Sequence, residues 1–253
     1  MGTLANLKSH IKIEAEDLWH GFRRAVFDFE GHRAWIVFPS VTPVSGMPWT
    51  WTMQWADAFV ERTGVPDMLS MGWHHATIET FGHRMDDEGL RVCRSFQRFL
   101  AECVGFATKA HLIGMSWGGF FSVRYTAAYP DCVAKMYLDA PLLNFDGFPE
   151  AEIGPWKSSP AIDGDWSNDP RMPLNLAGKL IEARIPVLLL YGGQDQTVPP
   201  EKNSLPFIER YRQAGELGKL LTVVPRAAYG HHPHGVEIDA TQLITDFLKM
   251  TDG

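Results

Sequence analysis

Short, fully apolar segments alternating with longer helical patterns predict an α/β protein, with a mostly parallel central sheet flanked by helices on both faces. Two further observations support this class. The chain of 253 residues is 45% hydrophobic and 12% aromatic, enough for one sizeable core. Near its start, two runs rich in Val, Ile, Phe and Trp within residues 22–38 are separated by the turn signal Glu30-Gly31, which reads as an antiparallel hairpin. α/β folds of this length commonly run as one unit, so a single domain over residues 1–253 is expected.

After the hairpin, the apolar run at 68–72 is expected to be a strand, residues 88–103 a helix, and 110–115 a second strand. A helix from about 118 to 129 and a strand at 133–139 follow. The last part reads as a strand at 187–191, a helix within 200–215, a strand at 220–224 and a helix at 239–250. Residues 142–178 break the alternation, being rich in Pro, Gly, Asp and Trp without a sustained period. A stretch that long between two sheet strands reads as a small cap or lid over the carboxyl ends of the strands, where open parallel sheets bind ligands.

Charge excludes some functions. The 23 Lys+Arg stand against 30 Asp+Glu, a net charge of −7, and the basic residues form no runs, so a nucleic-acid partner is not expected. The longest apolar stretches, such as 185–191, fall far short of the ~20 residues that cross a bilayer. The start Met1-Gly2-Thr3-Leu4-Ala5-Asn6 lacks an export or myristoylation signal, which points to a cytoplasmic protein. Cys93, Cys103 and Cys132 have no CxxC spacing and read as small hydrophobes.

The chemistry concentrates at Gly114-Met115-Ser116-Trp117-Gly118-Gly119, which follows an apolar strand and opens a helical pattern. That context makes G-x-S-x-G a strained elbow presenting Ser116 at the amino end of a helix. Glycines are expected at 114 and 118 because side chains there would strike neighbouring backbone. A serine hydroxyl needs a base and an orienting carboxylate. Asp195, in the Gly-rich turn after the strand at 187–191, is the candidate acid. The loop Gly230-His231-His232-Pro233-His234 offers His231 as base, with His232 and His234 as alternatives. A metal site on these histidines with His74 and His75 is disfavoured, because adjacent loop histidines seldom converge on one ion. Trp49, Trp51, Trp55, Trp73 and Trp117 are expected near one rim, where flat aromatic faces suit sugar rings or aryl and alkyl esters, and Trp49, Trp51, Trp73 and His74 are expected to line the pocket.

The antiparallel start, parallel sheet, Ser116 elbow and the order serine, acid, histidine resemble the α/β-hydrolase superfamily over nearly the whole chain. Within it, Pro48-Trp49-Thr50-Trp51, the elbow ending in Gly118-Gly119, Asp139-Ala140-Pro141 and Gly230-His231-His232-Pro233-His234 resemble a bacterial group of esterase-, lipase- and carbohydrate-esterase-like proteins. Trp117 and Thr52 stand where that group usually has Arg, which removes an anchor for an anionic group. The resemblance implies an oxyanion hole of the Trp117 amide with Ser40 or Val41 after the hairpin, Pro39 having no N–H. It also implies Asp139 as an alternative acid, since some superfamily members take theirs from that strand. The expected function is hydrolysis of small-molecule carboxylic esters, with small acyl or carbohydrate-type esters favoured, by Ser116, His231 and Asp195 through an acyl-enzyme, with no cofactor or metal. The alternatives are a non-catalytic binding module on the same fold, or a peptidase, thioesterase or C–C hydrolase with the same residues.

Overall fold

The computed structural model describes residues 3–231 and 239–250. Helix α1 (Thr3–His10) precedes three antiparallel strands, β1 (Ala15–Trp19), β2 (Phe22–Phe29) and β3 (His32–Val37). The chain continues through β4 (Trp49–Thr52), α2 (Val65–Ser70), β5 (His74–Ile78) and α3 (Asp87–Phe99), which runs on as a π-helical turn at Leu100–Val104. The second half comprises β6 (Ala110–Met115), α4 (Trp117–Ala128), β7 (Val133–Asp139), α5 (Ala177–Glu182), β8 (Val187–Gly192), α6 (Ser204–Gln213), β9 (Leu221–Arg226) and α7 (Asp239–Lys249).

The described residues form one nine-stranded sheet in the order β1-β2-β3-β5-β4-β6-β7-β8-β9. It is antiparallel from β1 to β5 and parallel from β5 onward. The central parallel strands β6, β7 and β8 are largely apolar on both faces because both faces are covered. Leu112 and Leu189 turn into one core layer with Phe96 of α3, Phe120 of α4 and Phe207 of α6. Ile113, Leu188 and Leu190 turn into the opposite layer with Leu69 of α2 and Ile244 and Leu248 of α7. The expected fold class, an antiparallel start on a mostly parallel sheet flanked by helices, is the one observed.

Two local expectations are corrected. The run at 68–72 is the end of α2 and its exit turn, not a strand. Pro66 in the first turn, Asp67 beside it and Gly64 at the N-cap favour a short helix, and its Val65, Met68 and Leu69 are the buried residues. The strand lies just beyond, as β5, with every residue buried. The sheet also holds β4, a strand of alternating Trp and Thr that is paired on both sides, with β5 and with β6.

Residues 142–178 contain short 3-10 turns at Glu150–Glu152, Gly154–Ser158, Ile162–Gly164, Trp166–Asn168 and Pro173–Leu176. This segment packs on α4 through aromatic rings: Phe145 stacks on Phe120 at 4.8 Å, and Trp156 meets the same ring edge-on at 5.8 Å. Arg124 of α4, largely buried, donates to the carbonyls of Met85 and Arg171, and its desolvation lowers the guanidinium pKa to about 10.

Candidate active site

Strand β6 delivers Ser116 to the carboxyl edge of the sheet with φ 52 and ψ −118, a left-handed conformation that a non-glycine residue adopts only under constraint. The constraint is visible in the backbone. The Ser116 N–H donates to the Asp139 carbonyl at 2.9 Å, and the Ser116 carbonyl accepts from the N–H groups of Gly119 and Leu142, each at 2.9 Å. Close packing supports the elbow from below. A Cβ at Gly114 would sit 2.5 Å from Ser122 Oγ and 2.6 Å from the Gly118 carbonyl oxygen, so no side chain fits. The second tight position is Gly119, whose Cβ would lie 2.3 Å from Pro141 Cβ, rather than Gly118, whose Cβ would meet nothing nearer than Gln54 N at 3.6 Å. Helix α4 starts at Trp117 and directs its amide end toward Ser116.

His231 lies between the serine and a carboxylate. Its Nε2 is 3.0 Å from Ser116 Oγ, and its Nδ1 is 2.8 Å from Asp195 Oδ2. Asp195 is 2% exposed and divides its two oxygens: Oδ1 accepts the N–H groups of Thr197 and Val198, each at 2.9 Å, leaving Oδ2 for the imidazole. The carboxylate thus braces its own turn and orients the histidine together. Strand end β8 and the loop before His231 are clasped: a Cβ at Gly192 would lie 2.0 Å from the Gly230 carbonyl oxygen, and the Gln194 N–H donates to the Tyr229 carbonyl. This contact brings two segments far apart in sequence to hydrogen-bonding distance. His232 and His234 lie outside the described residues.

Asp139, at the end of β7, is fully buried; its Oδ2 accepts the Tyr137 hydroxyl and its backbone carbonyl holds the Ser116 N–H. Burial, reinforced by the Asp139 carboxylate, holds the Tyr137 phenol well above its ordinary pKa, so that it remains a donor.

A cavity of about 270 Å³ opens on the serine, walled by Trp55, Ala58, Phe59, Met115, Ser116, Asp139 and His231. The expected lining residues are elsewhere. Trp49 and Trp51 are fully buried on β4, stacked on each other at 5.6 Å, with Trp51 edge-on to Phe96 and Tyr125. Strand period places both in the α3–α4 layer, so they are core. Trp73, 9% exposed, packs edge-on against His111, and His74, 1% exposed, sits among Phe38 and Phe106. The wall comes instead from residues 55–59, where Trp55 and Phe59 are 42% and 39% exposed with φ of 61 and 52. Trp55, expected at the rim, does line the cavity; Ala58 and Phe59 follow no hydrophobic period, and the signal for them is their position just after β4.

The same strand order corrects the oxyanion assignment. Ser40 and Val41 follow β3, and both β5 and β4 intervene between β3 and the serine strand β6. Both residues are exposed. The segment bordering the elbow is the one after β4: the Met53 N–H is committed to the Ile113 carbonyl at 3.0 Å, and the next nitrogen, Gln54 N, faces the start of α4 at Gly118. The Trp117 side chain is 5% exposed and locked among Phe81, Phe120, Phe145 and Phe148, at centroid distances of 5.3 to 5.7 Å. Arg84 lies 5.4 Å above its ring but is engaged with the carbonyls of Phe81 and Glu152.

Comparison with known proteins agrees with this architecture. The family profile described as the alpha/beta hydrolase fold matches residues 56–162. No curated protein matches the sequence. Among solved structures, an S-formylglutathione hydrolase from Agrobacterium tumefaciens superposes with a TM-score of 0.61 at 15% identity, over 94% of this chain and 98% of that one. A Bacteroides ovatus protein described as a dipeptidyl aminopeptidase IV gives a TM-score of 0.68 at 17% identity, over 89% of this chain. An acylaminoacyl peptidase from Pyrococcus horikoshii gives 0.60 at 14% identity, over 96% of this chain. The present chain spans only 35% and 41% of those two peptidases. At such identities the likeness is one of fold.

Proposed function

The chain has the α/β-hydrolase fold, and from that premise we propose that it is a serine hydrolase of small-molecule carboxylic esters, with Ser116 as nucleophile, His231 as general base and acid, and Asp195 as the orienting carboxylate. The observation that carries the reading is the continuous relay Ser116 Oγ, His231 Nε2, His231 Nδ1, Asp195 Oδ2, with steps of 3.0 and 2.8 Å across the ring. With Nδ1–H donating to Asp195, Nε2 presents its lone pair to the serine hydroxyl and accepts its proton.

Ser116 Oγ attacks the ester carbonyl while its proton passes to His231 Nε2. The tetrahedral intermediate collapses as the imidazolium returns that proton to the departing alcohol oxygen. Water then repeats the two steps on the acyl-enzyme, releasing the acid and restoring the serine. The oxyanion is held by the Trp117 amide at the start of α4 and by the Gln54 amide after β4, donors whose individual loss typically costs ~10²–10³ in rate. The cycle draws on protein groups alone. Residues 142–178, joined through Phe145 and Phe148 to Trp117, form a fixed cap that steadies the elbow. No helix among the described residues is long and apolar enough to cross a membrane.

Hydrolysis of p-nitrophenyl acetate by the wild type and by folded Ser116→Ala tests the reading, alongside labelling by a fluorophosphonate. Turnover and labelling that both vanish in the variant are expected. Equal turnover in the two proteins would overturn the assignment, and a wild type that neither turns over nor labels would point to a binding module. Parallel assays with aminoacyl p-nitroanilides distinguish ester from amide hydrolysis.

A further inference from the structure

A second, larger hollow adjoins the serine cavity. It encloses about 460 Å³ and shares Trp55 and Ala58 with the cavity that holds Ser116 and His231. Its walls are mainly apolar, with Trp35, Trp55, Phe81 and Ile78 beside the polar Gln54 and Thr77, and its rim carries Asp57 and Glu79. Trp55 and Phe81 lie 4.6 Å apart at 56°; Arg84 covers the Phe81 ring at 3.4 Å, and Trp55, 42% exposed, is the ring left open to an aromatic occupant. Both rim carboxylates are already engaged, Glu79 by Arg33 at 3.0 Å and Asp57 by the Trp19 indole N–H at 2.6 Å, with Arg24, held mainly by Asp17, 3.9 Å away, so the groove favours an uncharged occupant.

The strand order says which half of an ester lies there. The leaving oxygen must take its proton from His231, which arrives from beyond β9, on one side of the serine strand β6. The groove is built from β3, β5 and the segment after β4, on the other side of β6. A group entering it is therefore directed away from His231, as the acyl portion must be.

Resting on the serine-hydrolase reading, we propose that this groove is the acyl subsite and that it takes an uncharged, aryl-bearing acyl group, passed over Trp55 and Ala58. This departs from the small acyl groups expected from the sequence, because the volume beside the serine cavity exceeds that of the cavity itself. The aromatic walls favour a ring over an alkyl chain of similar size.

The test compares kcat/KM for p-nitrophenyl acetate, octanoate and 3-phenylpropanoate in the wild type and in Glu79→Trp and Asp57→Trp, which fill the groove from its exposed rim. The wild type is expected to favour phenylpropanoate over acetate by about tenfold and over octanoate as well, and the filled variants to lose most of the phenylpropanoate-to-acetate ratio. An unchanged ratio in both variants overturns the groove assignment, and an octanoate preference overturns the aryl class. Sensitivity of the benzyl acetate to ethyl acetate ratio, in place of the acyl ratio, would assign the groove to the alcohol and overturn the proposal. A wild type with no ester turnover and no fluorophosphonate labelling would instead overturn the underlying serine-hydrolase reading.

Discussion

Strand β5 carries two adjacent histidines into the interior, and this should make the protein acid-labile in a defined window. His74 is 1% exposed, and both of its ring nitrogens lack a partner among the described residues. His75 is fully buried, stacked on Trp19 at 5.5 Å, with Nδ1 against Thr50 Oγ1 and Nε2 unpartnered. Burial lowers their pKa from 6.5 to about 4 and about 3 respectively, since an imidazolium there would have neither water nor an anion. Both folded values lie below the unfolded one, so the unfolded chain binds protons first as pH falls below 6.5. Stability from these groups is complete above that pH and drains away toward pH 4 and 3, where the folded state protonates too. At about 1.4 kcal/mol per pH unit, the interval from pH 6.5 to pH 5 costs ~2 kcal/mol per histidine and ~4 for the pair, a large share of a typical 5–15 kcal/mol. Urea unfolding at pH 7 and pH 5 measures the loss directly. Comparison with His74→Leu/His75→Gln isolates these two residues, because a change in baseline stability cancels in the difference between the two pH values. The double variant should lose ~4 kcal/mol less than the wild type over that interval. An identical loss in both proteins would refute the reasoning.

Four further outcomes are expected. Asp195→Asn should fold and lower kcat by about 10⁴, the usual cost of losing the orienting carboxylate; retention of more than a tenth of the wild-type esterase rate would remove Asp195 from the proposed relay. Gly119→Ala forces a Cβ to within 2.3 Å of Pro141 and should destabilise by about 1–3 kcal/mol, whereas Gly118→Ala has room; denaturation midpoints of the two variants should fall in that order. Trp49→Ala, emptying a fully buried site in β4, should cost about 3–5 kcal/mol while leaving kcat/KM per folded molecule near wild type at low temperature; a selective loss of substrate affinity would restore Trp49 to the pocket. Trp117→Ala removes the ring that ties the elbow to Phe145 and Phe148, so kcat should drop, with recovery in Trp117→Phe; equal kcat in all three proteins would show the ring to be dispensable.

What the sequence determined by itself was local. A strand running into a glycine-flanked serine and then a helix is a pattern of neighbours, so the elbow at Ser116 was legible without coordinates. The run at 187–191 was equally legible, because burial on both faces leaves no charged residue to interrupt it, and 133–139 remained so although Lys135 interrupts it and Asp139 ends it. Asp195 and His231 could be named as candidates from their turns, but their convergence depends on β8 and β9 lying side by side with a backbone contact at Gly192 that no spacing rule contains. Short elements were lost for a physical reason: four residues of β4 give too few periods to separate strand from loop, and α2 hides a single turn behind an apolar run. Strand β4 matters beyond its own length, because strand order decides which loop borders the serine. With β4 between β5 and β6, the amide facing the elbow moves from Ser40 and Val41 to Gln54, and the tryptophans of β4 pass from pocket to core. Residue type fixed what Ser116, His231 and Asp195 can do chemically; only the crossing of β5 over β4 decided which surfaces surround them, since non-local pairing is settled by packing across the whole sheet.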